Sequence, residues 1–98
     1  MRLVFRPEAK NEIFAAQNWY EERAVGLGLE FARAVEVAVE RLLRAPKAYA
    51  SLDAQYRHLL LRRFPYSIVY HVNGAEIVVV SCFHHRRRPV SWMRNVSD

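Results

Sequence analysis

His84, His85, Arg86, Arg87 and Arg88 form an unbroken run within CFHHRRRPVSW, residues 82–92. Histidine titrates near neutrality and moves protons, and guanidinium groups grip phosphates or carboxylates in bidentate fashion. Cutting RNA with such a set needs one group to take a proton from a ribose hydroxyl, another to return one, and cations at the phosphate. His84 or His85 could transfer the proton while Arg57, Arg63, Arg86 or Arg87 steady the anion. A histidine beside several arginines loses basicity, which suits a base better than an acid, and no acidic residue lies close in sequence to take the second role. Without proton transfer, the same run is a landing surface for a polyanion. A merely solvated tail is the third reading, but Pro89 and Trp92 follow, and an aromatic that large usually packs and ties the run to the domain. His58 and His71 read as ordinary strand residues, and Trp19, Tyr20, Tyr66 and Tyr70 as core or hairpin-interface residues. For Arg57, Arg62 and Arg63 a solvated sheet face is as good a reading as a site.

The charge map favours an anionic partner. Residues 7–54 hold eight acids against six bases, a net of −2, whereas from residue 55 onward seven arginines face only Glu76 and Asp98, a net of +5. On a strand over 56–64, Arg57, Leu59, Leu61 and Arg63 would share one face and His58, Leu60, Arg62 and Phe64 the other, so either face carries arginine. These arginines and those of the chain end are expected to converge on one concave surface. No metal site is expected, because His84 and His85 are adjacent and point to opposite faces of a strand. No cofactor is expected either. The lone Cys82 cannot form an internal disulfide and reads as a small core residue.

A chain of 98 residues, 52% of them hydrophobic, makes one domain over 1–98. No apolar run reaches the roughly 18 residues that span a bilayer, and MRLVFRPEAK lacks the apolar middle of a secretory signal, so a soluble, cytoplasmic protein without membrane contact is expected. RLVFR (2–6) reads as a short strand. Pro7 opens a helix whose stripe is Ala9, Ile13, Ala16 and Tyr20. After Gly26 and Gly28 comes a second helix with a stripe through Leu27, Phe31, Ala34, Val35, Ala38, Leu42 and Leu43, ended by Pro46. The periodicity then changes to two: strands over 56–64, 66–72 and 76–83, the last two joined by a tight turn at Asn73-Gly74, where positive φ is required. The fold class predicted is α+β in the order β-α-α-β-β-β, a two-helix hairpin packed on a mostly antiparallel four-stranded sheet.

RHLLLRRFPYSIVY (57–70), the Asn73-Gly74 hairpin, and then His84, Arg87, Pro89, Trp92 and Arg94 together resemble the RelE/ParE superfamily of toxins from bacterial type II toxin–antitoxin systems. The opening strand, the proline-started helix with Trp19-Tyr20, and the second helix extend the likeness over nearly the whole chain. The resemblance implies a cognate antitoxin, small and with an acidic, amphipathic C-terminal segment. It also implies one of two targets, DNA gyrase for ParE-like members or mRNA on the ribosome for RelE-like endoribonucleases. RelE-like members draw on lysines and arginines of the sheet and a late tyrosine or histidine. Here the sheet has no lysine and no tyrosine follows Tyr70, so a gyrase poison without chemistry of its own is the reading preferred. In that reading Arg57, Arg62, Arg63, Arg86, Arg87, Arg88, Trp92 and Arg94 meet the target. In the ribonuclease alternative His84, His85, Arg57, Arg63 and Arg87 carry the chemistry, and a third option is a degenerate toxin that retains only antitoxin binding. A homodimer is compatible with each.

Overall fold

The computed structural model describes residues 1–86, 93, 95 and 96. The elements are β1 (Arg2–Phe5), α1 (Pro7–Arg23), α2 (Leu27–Arg44), β2 (Arg57–Leu60), β3 (Tyr66–Asn73) and β4 (Glu76–His84). The sheet order is β1-β4-β3-β2, with β1 parallel to β4 and the other neighbours antiparallel. This is the predicted α+β arrangement, and its mixed sheet arises because the helical pair carries the chain across one face between β1 and the meander.

Local chemistry sets the helix boundaries. Arg6 is extended and Pro7 takes the first helical position, where its missing N–H costs nothing, with Glu8 in the positive first turn. α2 begins at Gly26, whose φ of 89° needs a residue without Cβ. Gly26 has no side chain to cap the helix, and Glu21 of α1 does so instead: its carboxylate accepts from the N–H groups of Gly26 (3.0 and 3.1 Å) and Gly28 (3.0 Å). A Cβ on Gly28 would stand 2.8 Å from the Gln17 carbonyl oxygen and 3.0 Å from the Glu21 Cβ. Gly28→Ala is therefore expected to push the helices apart and cost about 1–2 kcal/mol, read from the urea midpoint at constant slope. A midpoint equal to wild type would show that the hairpin yields freely there.

The core lies between the helices and one sheet face. Phe31, Val35, Ala38 and Leu42 of α2 and Ala9 and Ala16 of α1 meet Leu59, Leu61, Phe64, Ile68, Tyr70, Ile77, Val79 and Cys82. Leu43, expected in the stripe, is 41% exposed. Leu42, one position earlier, holds the core-facing place, and a single helix position turns the side chain by about 100°.

Three further expectations are corrected. The strand over 56–64 stops at Leu60, because residues 61–66 close a turn in which Leu61 N–H donates to Tyr66 O (2.9 Å) and Arg63 takes φ = 70°. Consequently β2 presents Arg57 and Leu59 to the helices and His58 and Leu60 outward, and no arginine of β2 lies on the outer face. The β3–β4 loop is Gly74-Ala75, since Asn73 pairs with Glu76; only Gly74 has positive φ (60°). That is the requirement of a turn with glycine at its first central position. Finally, β4 is not strictly alternating. Its register against β3 slips between Val69 and Tyr70, adding one residue at Val80. Ile77 and Val79 face the helices, but beyond the bulge Cys82 and His84 do so, paired with Ile68 and Tyr66.

Candidate functional site

The bulge decides where the histidines go. His84, on the helical side, stands with its ring 5.1 Å from that of Tyr66 and lines an open cleft of about 630 Å³ between α1 and the end of β4. Trp19, Tyr20, Tyr66, Glu12 and Arg86 line it too. β1 pairs with β4 only as far as Val79, so the following stretch of β4 has an open edge, and α1 covers part of it. Glu12 Oε1 accepts from Ser81 Oγ (2.8 Å), Cys82 N–H (3.0 Å) and Asn95 Nδ2 (3.1 Å). A carboxylate thus takes the place of the missing neighbouring strand.

The aromatic wall is continuous. Trp19 meets Tyr20 edge-on at 5.1 Å, Tyr20 meets Tyr66 at 6.2 Å, and Tyr66 meets His84. Arg23 lies over the Trp19 ring at 3.8 Å, and Trp19 is 48% exposed. The backbone N–H of Arg86 donates to His84 Nδ1 at 3.0 Å, which leaves Nε2 to carry the proton of the neutral ring. The cleft therefore offers aromatic and imidazole rings and one guanidinium, a set suited to binding a protein surface.

His85 points the other way. Its Nε2 is 2.9 Å from Ser67 Oγ on the outer face, which also holds His58, Val69 and Val80. Burial, and secondarily His85, lowers the pKa of His58; burial, and secondarily Arg6, lowers that of His71. Both rings resist protonation in the folded chain but accept it at the ordinary value of 6.5 when unfolded, so their stability contribution is intact above that pH and lost as pH falls below it. The melting temperature is expected to drop between pH 7.5 and 5.5, and His58→Gln with His71→Gln to flatten the drop; an unchanged slope in the double variant would exclude these rings as its source.

Neither Tyr70 nor Cys82 is placed for proton transfer. Burial pushes Tyr70 up to about 12 against the opposing pull of Arg57, and its hydroxyl donates to Pro46 O at 2.6 Å. Burial, with the Glu12 charge, pushes the Cys82 thiol up to about 12.

The described arginines of the expected surface, Arg57, Arg62, Arg63 and Arg86, stand at separate places. Arg57 lies on the helical side, donating to Tyr49 O at 2.8 Å. Arg62 and Arg63 turn toward α2, where Arg63 pairs with Glu30 at 2.9 Å. Arg86 lines the cleft with His84. Arg87, Arg88, Trp92 and Arg94 lie outside the described residues. Of the ribonuclease set, His84 and His85 occupy opposite faces and Arg57 and Arg63 line neither histidine's surroundings. Trp19, Tyr20, Tyr66 and Glu12 are cleft residues that periodicity alone assigned to the interior or passed over. The usable signal was Trp19-Tyr20, since two adjacent large aromatics on a helix cannot share one buried face.

Comparison with known proteins agrees with this architecture. Residues 3–89 match the family described as "ParE toxin of type II toxin-antitoxin system, parDE". Toxin ParE2 of Mycobacterium tuberculosis, from strains CDC 1551 / Oshkosh and H37Rv, is 27% identical over 89 residues, covering 90% of this chain and 85% of the relative. A solved structure titled "Chromosomal ParDE TA system from P. aeruginosa" superposes with a TM-score of 0.73 at 22% identity, covering 86% of this chain and 95% of the other, and so shares the fold. With the family's match spanning most of its length, the chain belongs to the ParE toxins of type II toxin–antitoxin systems.

Proposed function

We propose that this chain arrests growth by binding DNA gyrase through the cleft of Trp19, Tyr66, His84 and Arg86, and that a cognate antitoxin relieves the arrest. One observation carries the reading: His84 and His85 lie on opposite faces of the sheet, the bulge having turned His84 to the helical side, so the two do not face one phosphate. The cleft is a binding surface of aromatic rings and one guanidinium, residue types that dominate protein interfaces. Gyrase is the target proposed because the chain belongs to the ParE toxins and the cleft is suited to contact without bond-making.

Induction in a bacterial host is expected to give DNA breaks and filamentation before translation falls. Purified chain is expected to trap gyrase on linearised plasmid. Trp19→Ala with Arg86→Glu should weaken gyrase trapping at least about tenfold, on the scale of interface anchors, while far-ultraviolet circular dichroism stays unchanged. Truncated mRNAs appearing first would instead establish the endoribonuclease reading, and normal growth would leave antitoxin binding as the chain's role.

A further inference from the structure

A second groove, of about 460 Å³, lies between α2 and the 61–66 turn and has the size of a small-ligand pocket. α2 lines it with Arg33 and Arg41 and the turn with Arg62 and Arg63, and Val37 and Phe64 lie between them. Every cation in this lining is an arginine, whose planar fork can donate to two oxygens of one phosphate. Among the described residues Glu30 is the one carboxylate in the lining, and it pairs with Arg63 at 2.9 Å in an exposed contact, weak and exchangeable. Glu36 and Glu40 of α2 do not line the groove, and Glu40 is 4.0 Å from Arg44. Arg33 and Arg62 have no ion-pair partner among the described residues, and Arg41 lies 5.6 Å over the Tyr49 ring. Four guanidinium groups against one carboxylate leave three positive charges unbalanced. Arg63 stands at φ = 70°, where glycine would be cheaper, and what the arginine supplies at that cost is a guanidinium turned to α2.

We infer that this groove binds a polyphosphate chain, of the kind carried by a nucleoside triphosphate or by a short inorganic polyphosphate. The inference stands apart from the toxin's target. Arg33 and Arg41 are two helical turns, about 12 Å, apart along α2, and Arg62 and Arg63 close from the turn, so consecutive phosphates meet guanidinium groups from both sides. A phosphate that displaces Glu30 also takes over Arg63. So many unbalanced charges around so small a volume call for a compact anion of several charges, a density that a triphosphate reaches and carboxylates spaced along a protein chain do not. Nucleic acid fits less well. A duplex carries its phosphates on a convex surface, and the groove offers no exposed ring on which the bases of a single strand could stack, Phe64 being buried. For the same reason the phosphates, and not a base, supply the recognition.

The test is calorimetric titration of the full chain with tripolyphosphate, ATP, GTP and AMP, without magnesium and near physiological ionic strength, where charges more than about 8 Å apart are largely screened. One triphosphate is expected per chain, ATP and GTP alike, with AMP at least about tenfold weaker because it forms fewer charge-assisted hydrogen bonds. Equal affinity for ATP and tripolyphosphate would assign the site to the phosphate chain alone, and tighter ATP would name the nucleotide as its source. Arg33→Gln with Arg62→Gln should weaken ATP binding at least about tenfold, whereas Arg2→Gln with Arg6→Gln, which takes the same charge from the β1 end, should change it less than about twofold. Arg63→Gly separates binding from folding: it relieves the left-handed backbone, so the melting temperature holds or rises while affinity falls. Absence of saturable triphosphate binding to the wild-type chain would overturn the site. So would wild-type affinity in both groove variants, or an equal loss in the β1 control. Binding of a DNA oligonucleotide that the groove variants lose, with no binding of tripolyphosphate, would also overturn it and give the arginines to a nucleic-acid backbone.

Discussion

Phe31→Ala is expected to remove about 3–5 kcal/mol of folding stability. Phe31 is fully buried on α2 and its ring lies 5.4 Å from Tyr20, 5.2 Å from Phe64 and 5.2 Å from Tyr66. It joins α2 to α1, the 61–66 turn and β3. Truncation therefore removes apolar contact, two edge-on aromatic pairs and one stacked pair, each adding roughly 0.5–1.5 kcal/mol beyond buried area. Domains of this size are stable by about 5–15 kcal/mol, so the variant should unfold at markedly lower urea. Phe31→Leu fills most of the volume and should lose much less. A midpoint shift below about 1 kcal/mol for the alanine variant would mean that the neighbouring rings close the cavity unaided. The consequence extends to the cleft, because Tyr20 and Tyr66 rest on Phe31 from behind. Weaker binding by a still-folded Phe31→Leu, in the gyrase assay that tests the proposed function, would mark that support as part of the binding surface.

The same comparison of size and position explains which features were legible from residues alone. Pro7, the glycines at 26 and 28 and the apolar stripes of both helices specify the hairpin locally, and the change from helical to alternating pattern after residue 55 specifies the meander. All six elements follow from signals a few residues long. The site does not. Alternation carried through β4 puts Ser81 and Phe83 on the helical face, and only the extra residue at Val80 exchanges them for Cys82 and His84. No side chain near Val80 announces a bulge, because three valines in succession suit either register. Likewise Arg62 and Arg63 look like strand residues until the left-handed backbone at Arg63 carries both to α2. An arginine at positive φ breaks the local rule that glycine occupies such places, and a rule broken locally is resolved only by tertiary contact. Size alone makes Trp19 and Tyr20 core or hairpin-interface residues, and adjacency on a helix keeps them from sharing one face. The T-shaped pair instead keeps Tyr20 inward and leaves Trp19 on the cleft.

Glu12 presents the widest gap between sequence signal and structural weight, and the second large effect is expected there. In the sequence it is one exposed-looking acid on the first helix. In the fold its Oε1 collects a hydroxyl, a backbone N–H and an amide from groups 69, 70 and 83 residues away. Ser81 and Cys82 are buried, so Glu12→Ala strands their donors beside the open edge of β4. Each stranded buried donor costs about 1–3 kcal/mol, giving roughly 3 kcal/mol in all once partial hydration is allowed. Asn95 keeps its second contact, to Val80 O at 3.1 Å, but loses the acceptor that joins it to α1. Glu12→Gln retains the acceptor oxygen without the charge and should lose about half as much, since bonds to charged groups are about twice as strong. Removing the charge also removes one of the two influences that raise the Cys82 thiol, so alkylation of Cys82 should speed up in Glu12→Gln beyond what its lowered stability accounts for. Hydrogen exchange locates the effect: protection of the Cys82 amide should fall in Glu12→Ala while that of Ile77, inside the β1-paired part of β4, keeps pace with global stability. Equal loss at both amides would mean that Glu12 supports the whole fold and does not specifically close the edge of β4 at the cleft.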